Sequence, residues 1–109
     1  MTATTIKNSL IRFGHALSDP VRIEILTALM NHPASPSELA DLTGYSRQVI
    51  SNHLACLRGC ELVAVDKTGI YATYELANPR LKQTLCGLCE LAETFNPDCT
   101  CQHSRKECC

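Results

Sequence analysis

The sequence predicts a mainly α-helical domain that carries a single β-hairpin. Most of the chain places apolar residues at helical spacing, and several of these stretches begin with Ser, Asp or Asn, the residues that favour a helix start. One short stretch rich in β-branched residues follows the fourth of the predicted helices. With 109 residues the chain forms one small domain, and because a core of that size is modest, a dimer would add to its stability.

The first two predicted helices are separated by a strong break. The first is amphipathic, and its apolar stripe consists of Ile6, Leu10, Phe13 and Leu17. Asp19 and Pro20 suit the N-cap and the first position of a second helix over residues 20–30. That helix is apolar on most sides, which predicts that it is the central buried helix of the domain.

The next two predicted helices are short and are joined by a tight turn. Ser35 and Glu38 have the spacing of a capping box that opens the first of them, and Gly44 closes it. Ser46 caps the second, which covers residues 47–58. Such a pair is a helix-turn-helix, and its apolar residues can form a common core: Leu39, Ala40, Val49, Ile50, Leu54 and Leu57.

A β-hairpin and a last helix complete the predicted domain. Residues 62–65 and 70–76 have the composition of strands, and residues 66–69 have that of a turn. A hairpin after a helix-turn-helix defines a winged helix-turn-helix. Asn78 and Pro79 open the last helix, whose apolar stripe is expected to contact the first helix and a second protomer: Leu81, Leu85, Leu88, Ala92 and Phe95.

The chain is expected to divide at the end of this last helix. Asn96 and Pro97 stop the helix, so residues 1–97 are predicted to form a DNA-binding and dimerisation domain. Residues 98–109 lack large aliphatic and aromatic residues. They are expected to form a cysteine-rich, metal-binding tail that is disordered unless a contact orders it.

Composition and charge narrow the range of functions. The formal net charge of −1 argues against indiscriminate nucleic-acid binding, although it allows a local basic patch. No apolar run approaches the ~20 residues that a membrane helix needs, and the N-terminus lacks the features of a secretory signal. We therefore expect a cytoplasmic protein with no membrane partner. No acid–base pair or cofactor loop indicates an enzyme.

All eight cysteines lie in the second half of the chain. Residues 1–55 contain none and still show ordinary helical patterning, so the fold does not depend on disulfides, and thiolate ligands are favoured in a reducing cytosol. Cys56 and Cys60 are four residues apart, which on a helix puts their Cβ atoms roughly 5–6 Å apart on one face. A single soft metal ion could bind both sulfurs. The alternative interpretation is that both are small buried apolar residues.

The helix over residues 47–58 is also the predicted recognition helix. In this motif the N-terminal residues of the second helix contact base edges, so the candidates for DNA contact are Ser46, Arg47, Gln48 and Ser51. Lys67 at the hairpin tip is a candidate for phosphate or minor-groove contact. The alternative is that these residues form a solvated helix face and a solvated hairpin tip.

From about residue 6 to residue 95, the sequence resembles the ArsR/SmtB family of metal-responsive winged-helix repressors. The similarity is carried by LSDPVRIEIL at 17–26 and SRQVISNHL at 46–54, with shorter matches at 57–58, 62–63 and 74–76. The segment from His53 to Cys60 resembles the cadmium- and lead-sensing branch of that family. Members of that branch bind the metal through two cysteines of the recognition helix and a third from the C-terminal tail.

The resemblance implies a homodimeric repressor that binds operator DNA without metal and is released when metal binds. It implies Cys101 as the third ligand beside Cys56 and Cys60, with Cys99 as the alternative tail ligand. Cd(II) or Pb(II) is the implied inducer, while Zn(II) and As(III) stay open. Packing in the dimer core is the favoured role of two further cysteines, and the role of the last two is open: Cys86 and Cys89, then Cys108 and Cys109.

Two other functions fit parts of the sequence. A repressor that senses thiol oxidation would use the excess cysteines, but no basic residue beyond Arg58 is expected to adjoin Cys56 or Cys60 and favour reactive thiolates. A metal-buffering protein would use the tail without any DNA. The predicted helix-turn-helix and wing argue against that second alternative.

Overall fold

The computed structural model describes residues 2–95, which form five helices and one two-stranded antiparallel sheet. The elements in chain order are α1 (Ala3–Ala16), α2 (Pro20–Asn31), α3 (Pro36–Thr43), α4 (Arg47–Gly59), β1 (Val63–Asp66), β2 (Thr73–Leu76) and α5 (Pro79–Glu93). Helices α3 and α4 are the helix-turn-helix, and β1 with β2 is the wing. The predicted winged helix-turn-helix is therefore confirmed.

Side-chain caps determine where the helices begin. The carboxylate of Asp19 accepts a hydrogen bond from the backbone N–H of Val21 at 2.8 Å, and this starts α2 where the sequence predicts it. At the start of α3, the Ser35 hydroxyl accepts from the N–H of Glu38, whose carboxylate accepts from the N–H of Ser35. Gly44 ends α3 in the left-handed conformation, with φ of 82°. The predicted capping box and helix end are both confirmed.

The core lies between α2, the helix-turn-helix and the wing. One face of α2 is buried there through Ile25, Leu26 and Leu29, which confirms its central position. Ile23 on the other face is 44% exposed, so the core covers one face of α2 and leaves the other open. The helix-turn-helix and wing supply the remaining buried apolar residues of this region: Leu39, Ile50, Leu54, Leu57, Leu62 and Val63.

The wing is shorter than the sequence indicates. Its strands pair from Val63 with Leu76 to Asp66 with Thr73, and the prediction that the second strand begins at residue 70 was wrong. Beyond this pair, the Asp66 carboxylate accepts hydrogen bonds from the N–H and the hydroxyl of Thr68, which turns the chain out of the ladder. Residues 67–72 form the loop instead, and Ile70 is 94% exposed at its tip.

Helices α1 and α5 leave apolar surface uncovered. In α1 only Ala16 is buried, and in α5 Leu81 and Leu85 are buried within the protomer. Two of the five residues of the predicted α5 stripe therefore pack on their own domain. The exposed large apolar residues of the two helices, and of the segment just after α5, are Ile6, Leu10, Ile11, Leu88, Leu91 and Phe95. Within residues 2–95 no helix is long and apolar enough to cross a membrane.

Candidate metal centre and nucleic-acid interface

Helix α4 has one face in the core and one face open to solvent. Ile50, Leu54 and Leu57 are buried, and because they recur at helical spacing they fix the rotation of the helix about its axis. The opposite face presents the predicted DNA contacts at its N-terminal end, where Arg47, Gln48 and Ser51 are exposed. They lie together, as a helix that reads base edges requires.

One detail of this face confirms a prediction, and another was not predicted. The Ser46 hydroxyl accepts a hydrogen bond from the N–H of Val49 at 3.2 Å, so this side chain serves as the N-cap of α4. Asn52 is exposed on the same face, and its side-chain oxygen accepts a hydrogen bond from the amide of Gln48 at 3.2 Å. Sequence reasoning missed Asn52, although its spacing of four from Gln48 was the available signal.

The wing presents one positive and one negative charge near its tip. Lys67 is exposed, as a phosphate contact requires. Asp66 precedes it, and the backbone and side-chain hydrogen bonds from Thr68 lower the pKa of this carboxyl group, outweighing the opposing effect of burial. Asp66 therefore stays charged at neutral pH and opposes phosphate contact close to Lys67.

The two thiols lie at the opposite end of α4 from the DNA face. Both Cys56 and Cys60 are half-buried, and Cys60 is the C-cap, with its N–H bonded to the Cys56 carbonyl at 3.0 Å. Burial raises the pKa of the Cys60 thiol, and the charge and hydrogen bond of Cys56 raise it further. Arg12 and Arg22 oppose this rise. The expectation that only Arg58 adjoins the pair was wrong, because folding brings two arginines from α1 and α2 to it.

A histidine of α1 also reaches the thiols. The Nε2 atom of His15 lies 3.7 Å from the Sγ atom of Cys56. His15 is exposed and Cys56 is half-buried, so solvent reaches both residues. Sequence reasoning missed His15, because this contact joins residues 41 positions apart and no local pattern signals it.

A buried arginine holds this end of α1 against the rest of the domain. The Nε atom of Arg22 donates to the carbonyl of Ala16 at 3.2 Å, and its Nη2 atom donates to the carbonyl of His15 at 2.8 Å and to the Ser18 hydroxyl at 3.3 Å. Its Nη1 atom lies 3.4 Å from the Nδ1 atom of His53 in α4. Through one side chain, α2 therefore connects the end of α1 to the recognition helix.

The turn after α4 holds a residue in an unusual conformation. Glu61 follows the Cys60 cap with φ of 64°, in the left-handed region that Gly usually occupies. Its N–H bonds the carbonyl of Arg58, and the N–H of Leu62 bonds the carbonyl of Leu57, both at 3.0 Å, which is the Schellman pattern of helix ends. The chain therefore leaves the thiol pair through a strained residue.

The other candidate metal ligands lie either outside the described residues or in α5. Within residues 2–95 no three Cys, His, Asp or Glu side chains already enclose a metal position. The predicted tail ligands Cys101 and Cys99 lie outside the described residues, and so does the boundary between residues 97 and 98. In α5, Cys86 is half-buried, whereas Cys89 lines an apolar cleft between α2 and α5.

Comparison with known proteins places the chain in a family. A family model described as "Bacterial regulatory protein, arsR family" matches residues 19–65. The transcriptional regulator CmtR of Mycobacterium tuberculosis is 37% identical over 105 residues, which cover 96% of this chain and 89% of that protein.

Solved structures agree with the fold. The NMR structure of the cadmium sensor CmtR from Mycobacterium tuberculosis matches with a TM-score of 0.68 and 39% identity, over 87% of this chain and 99% of that one. A homodimeric winged helix-turn-helix domain from Mycobacterium bovis matches with a TM-score of 0.78 and 21% identity, over 85% of this chain and 88% of that one. At that identity the second match bears on the fold alone. The chain is thus a transcriptional regulator rather than an enzyme, and it belongs to the arsR family of bacterial regulatory proteins.

Proposed function

We propose that the protein is a metal-responsive transcriptional repressor. A metal-free homodimer binds operator DNA, and Cd(II) or Pb(II) binding to Cys56 and Cys60 with a tail thiolate, Cys101 or else Cys99, releases it. A regulator that binds operator DNA acts where the chromosome lies, so we propose a cytoplasmic location. The similarity to CmtR, whose solved structure is that of a cadmium sensor, supports this proposal.

The observation that carries the proposal is the sharing of one helix by two surfaces. The exposed residues Arg47, Gln48 and Ser51 occupy the N-terminal half of α4, and Cys56 and Cys60 occupy its C-terminal end. A ligand at the thiols therefore contacts the same helix that would enter the major groove. If metal binding shifted this helix, the contacts between its N-terminal residues and the DNA would change.

The donor chemistry fits a soft ion. Thiolates are the side chains that select soft metals, and both thiols are partly open to solvent, which gives a path of entry. Two thiolates leave a site incomplete, so a third donor from the tail fits the proposal. Cys101 and Cys99 are the candidates for it by resemblance.

Release requires that metal and DNA prefer different states. Metal must favour the arrangement that fits DNA poorly, and by linkage DNA must weaken metal binding by the same factor. A coupling of about 1–3 kcal/mol would lower DNA affinity roughly 5–150-fold. A tail bound across the end of α4 would provide such a difference, either by shifting the helix or by covering its approach.

The exposed apolar residues support a homodimer. Leu88 and Phe95, which belong to the stripe predicted to meet a second protomer, are each more than two-fifths exposed, and so is Leu10 of α1. Covering such residues is favourable by about 25 cal/mol for each Å² removed from water. A dimer would also place two recognition helices on one operator, as paired half-sites require.

The rival redox function is less well supported. Reactive thiols need a lowered pKa, whereas burial raises the pKa of Cys60 despite the nearby arginines. A thiol that stays protonated at neutral pH reacts slowly with oxidants. Metal binding displaces that proton by direct coordination and so does not need a reactive thiolate in the free protein.

An operator-binding titration tests the proposal. Fluorescence anisotropy on a selected operator duplex is measured with reductant, then with Cd(II), Pb(II), Zn(II) or As(III), and finally with oxidant alone. Cys56→Ser should keep the metal-free affinity and lose release by Cd(II), because the thiol is needed only in the metal-bound state. Loss of metal-free DNA binding in Cys56→Ser would mark Cys56 as structural, and release by oxidant alone would favour the redox function.

Truncation tests the tail. A chain that ends after Pro97 should bind operator and respond poorly to metal. Restoring the tail with Cys101 as its sole cysteine, and with Cys99, Cys108 and Cys109 as Ser, should recover most of the response. If the truncated protein left DNA at the wild-type metal concentration, the tail-ligand model would fail and a site that includes Cys86 and Cys89 would replace it.

A further inference from the structure

We propose that His15 of α1 is a metal ligand, so that the site combines its imidazole with the Cys56 and Cys60 thiolates. This inference rests on the proposed function and adds a donor that the resemblance does not imply. It assigns a nitrogen ligand to a site otherwise built of sulfur. It also makes α1 a part of the metal site.

The separation of the two donor atoms is that of neighbouring ligands. An ion about 2.3 Å from a sulfur and about 2.05 Å from a nitrogen, at a tetrahedral angle, separates them by about 3.6 Å. The observed distance from the His15 Nε2 atom to the Cys56 Sγ atom is 3.7 Å. An ion could therefore bind both atoms without movement of either helix. Cys60 lies four residues further on, as the C-cap of α4, and completes the trio through rotation of its side chain.

His15 is held in place before any metal arrives. Its carbonyl accepts hydrogen bonds from Arg22 at 2.8 Å and from the Ser18 hydroxyl at 2.7 Å. A second contact between α1 and the end of α4 joins Arg12 to Glu61, the residue after Cys60, at 3.7 Å. With its main chain fixed, His15 has only its side-chain rotamer to adjust on binding, which keeps the entropic cost of coordination low.

The added nitrogen changes which metals the site favours. With one tail thiolate the set becomes three sulfurs and one imidazole, a four-coordinate combination that tetrahedral Zn(II) adopts. Imidazole is a good ligand for borderline ions, whereas a purely sulfur set favours the softest ones. We therefore expect His15 to matter for Zn(II), Co(II) and Cd(II), and to matter little for Pb(II) bound by three thiolates.

Coordination by His15 would also join two helices with different tasks. Helix α1 carries exposed apolar residues of the proposed dimer surface, and α4 carries the DNA face. An ion bound to both would clamp the end of α1 onto the end of α4. Each protomer would then transmit metal binding to the dimer contact as well as to the recognition helix.

Metal titration of His15 variants tests the inference. His15→Ala and His15→Gln are compared with wild type and with His32→Ala, which replaces an exposed histidine whose ring hydrogen-bonds the carbonyl of Pro33. Affinities come from competition with a chromophoric chelator. We expect both His15 variants to bind Zn(II), Co(II) and Cd(II) at least about tenfold more weakly, since even second-sphere partners change metal affinity by that factor. Pb(II) affinity and metal-free operator affinity should not change.

The visible spectrum of bound Co(II) gives a readout that is independent of affinity. Loss of a nitrogen donor should shift the ligand-field bands in both His15 variants and leave them unchanged in His32→Ala. Unchanged Co(II) bands and affinities in the His15 variants, with metal binding lost in Cys56→Ser, would overturn the role of His15 alone. Unchanged metal binding in Cys56→Ser would instead overturn the proposed function and this inference with it.

Discussion

Replacing Arg22 by Met removes the guanidinium that joins α1 to α2 and α4, while it keeps an unbranched apolar stem. The carbonyls of His15 and Ala16 would lose donors at 2.8 and 3.2 Å. A hydrogen bond from a charged donor contributes about 1.5–3 kcal/mol net. Water can reach the end of α1 and replace part of this, so we expect Arg22→Met to lower the free energy of unfolding by about 2–4 kcal/mol.

Thermal and urea unfolding measure this loss, at a fixed protein concentration because the stability of a dimer depends on it. For a domain of this size 1 kcal/mol shifts Tm by about 4–8 °C, so Tm should fall by about 8 °C or more. Arg12→Met is the matched control, because Arg12 pairs with Glu61 at 3.7 Å while both side chains are exposed. Such a pair contributes only about 0–1 kcal/mol. Equal Tm values for Arg22→Met and Arg12→Met would refute the reasoning.

Three further predictions concern the DNA face, the turn after α4 and the thiols. Arg47→Ala should weaken operator binding by about 1–3 kcal/mol per base contact at fixed salt and leave metal affinity unchanged. Lys82→Ala on α5 is the control, and equal operator affinities of the two variants would refute the assignment of Arg47. Glu61→Gly should raise the free energy of unfolding by about 0.5–1 kcal/mol. Glycine removes the strain of a side chain in the left-handed conformation, and the greater entropy of the unfolded glycine chain offsets part of this gain. A lower urea midpoint would contradict this. Cd(II) affinity should rise from about pH 6 to about pH 8, by up to about tenfold per pH unit for each proton displaced. The reason is that burial raises the pKa of the Cys60 thiol above its usual value, and the metal must displace that proton. A pH-independent affinity in a chelator competition would exclude Cys60 as a ligand.

Local chemistry made most of the fold predictable. The caps at Asp19, Ser35 and Ser46 act within three residues along the chain, so the helix starts follow from the sequence. The extent of the wing does not follow in the same way. Strand composition at Ile70 and Tyr71 was misleading because Thr68 folds back onto Asp66 and leaves these two residues unpaired with β1.

The candidate site was predictable only in part, for a related reason. The i, i+4 spacing of Cys56 and Cys60 is visible in the sequence because one helix carries both. The approach of His15 to Cys56, and that of Arg22 to α1, depends on how helices pack across the domain. No periodicity within one segment encodes such contacts, and only the folded chain reveals them.

The contact between Gln48 and Asn52 bears on how an operator base pair would be distinguished. The Gln48 amide N–H donates to the side-chain oxygen of Asn52. The Gln48 side-chain oxygen stays free to accept, and the Asn52 amide nitrogen stays free to donate, on one exposed helix face. Adenine offers a donor and an acceptor side by side in the major groove. Two side chains already bonded to each other have lost much of their rotamer freedom before DNA arrives. Gln48 and Asn52 would therefore contact one base pair jointly. Base-by-base variation of the operator should then show a strong preference for adenine at one position, instead of weak preferences at two.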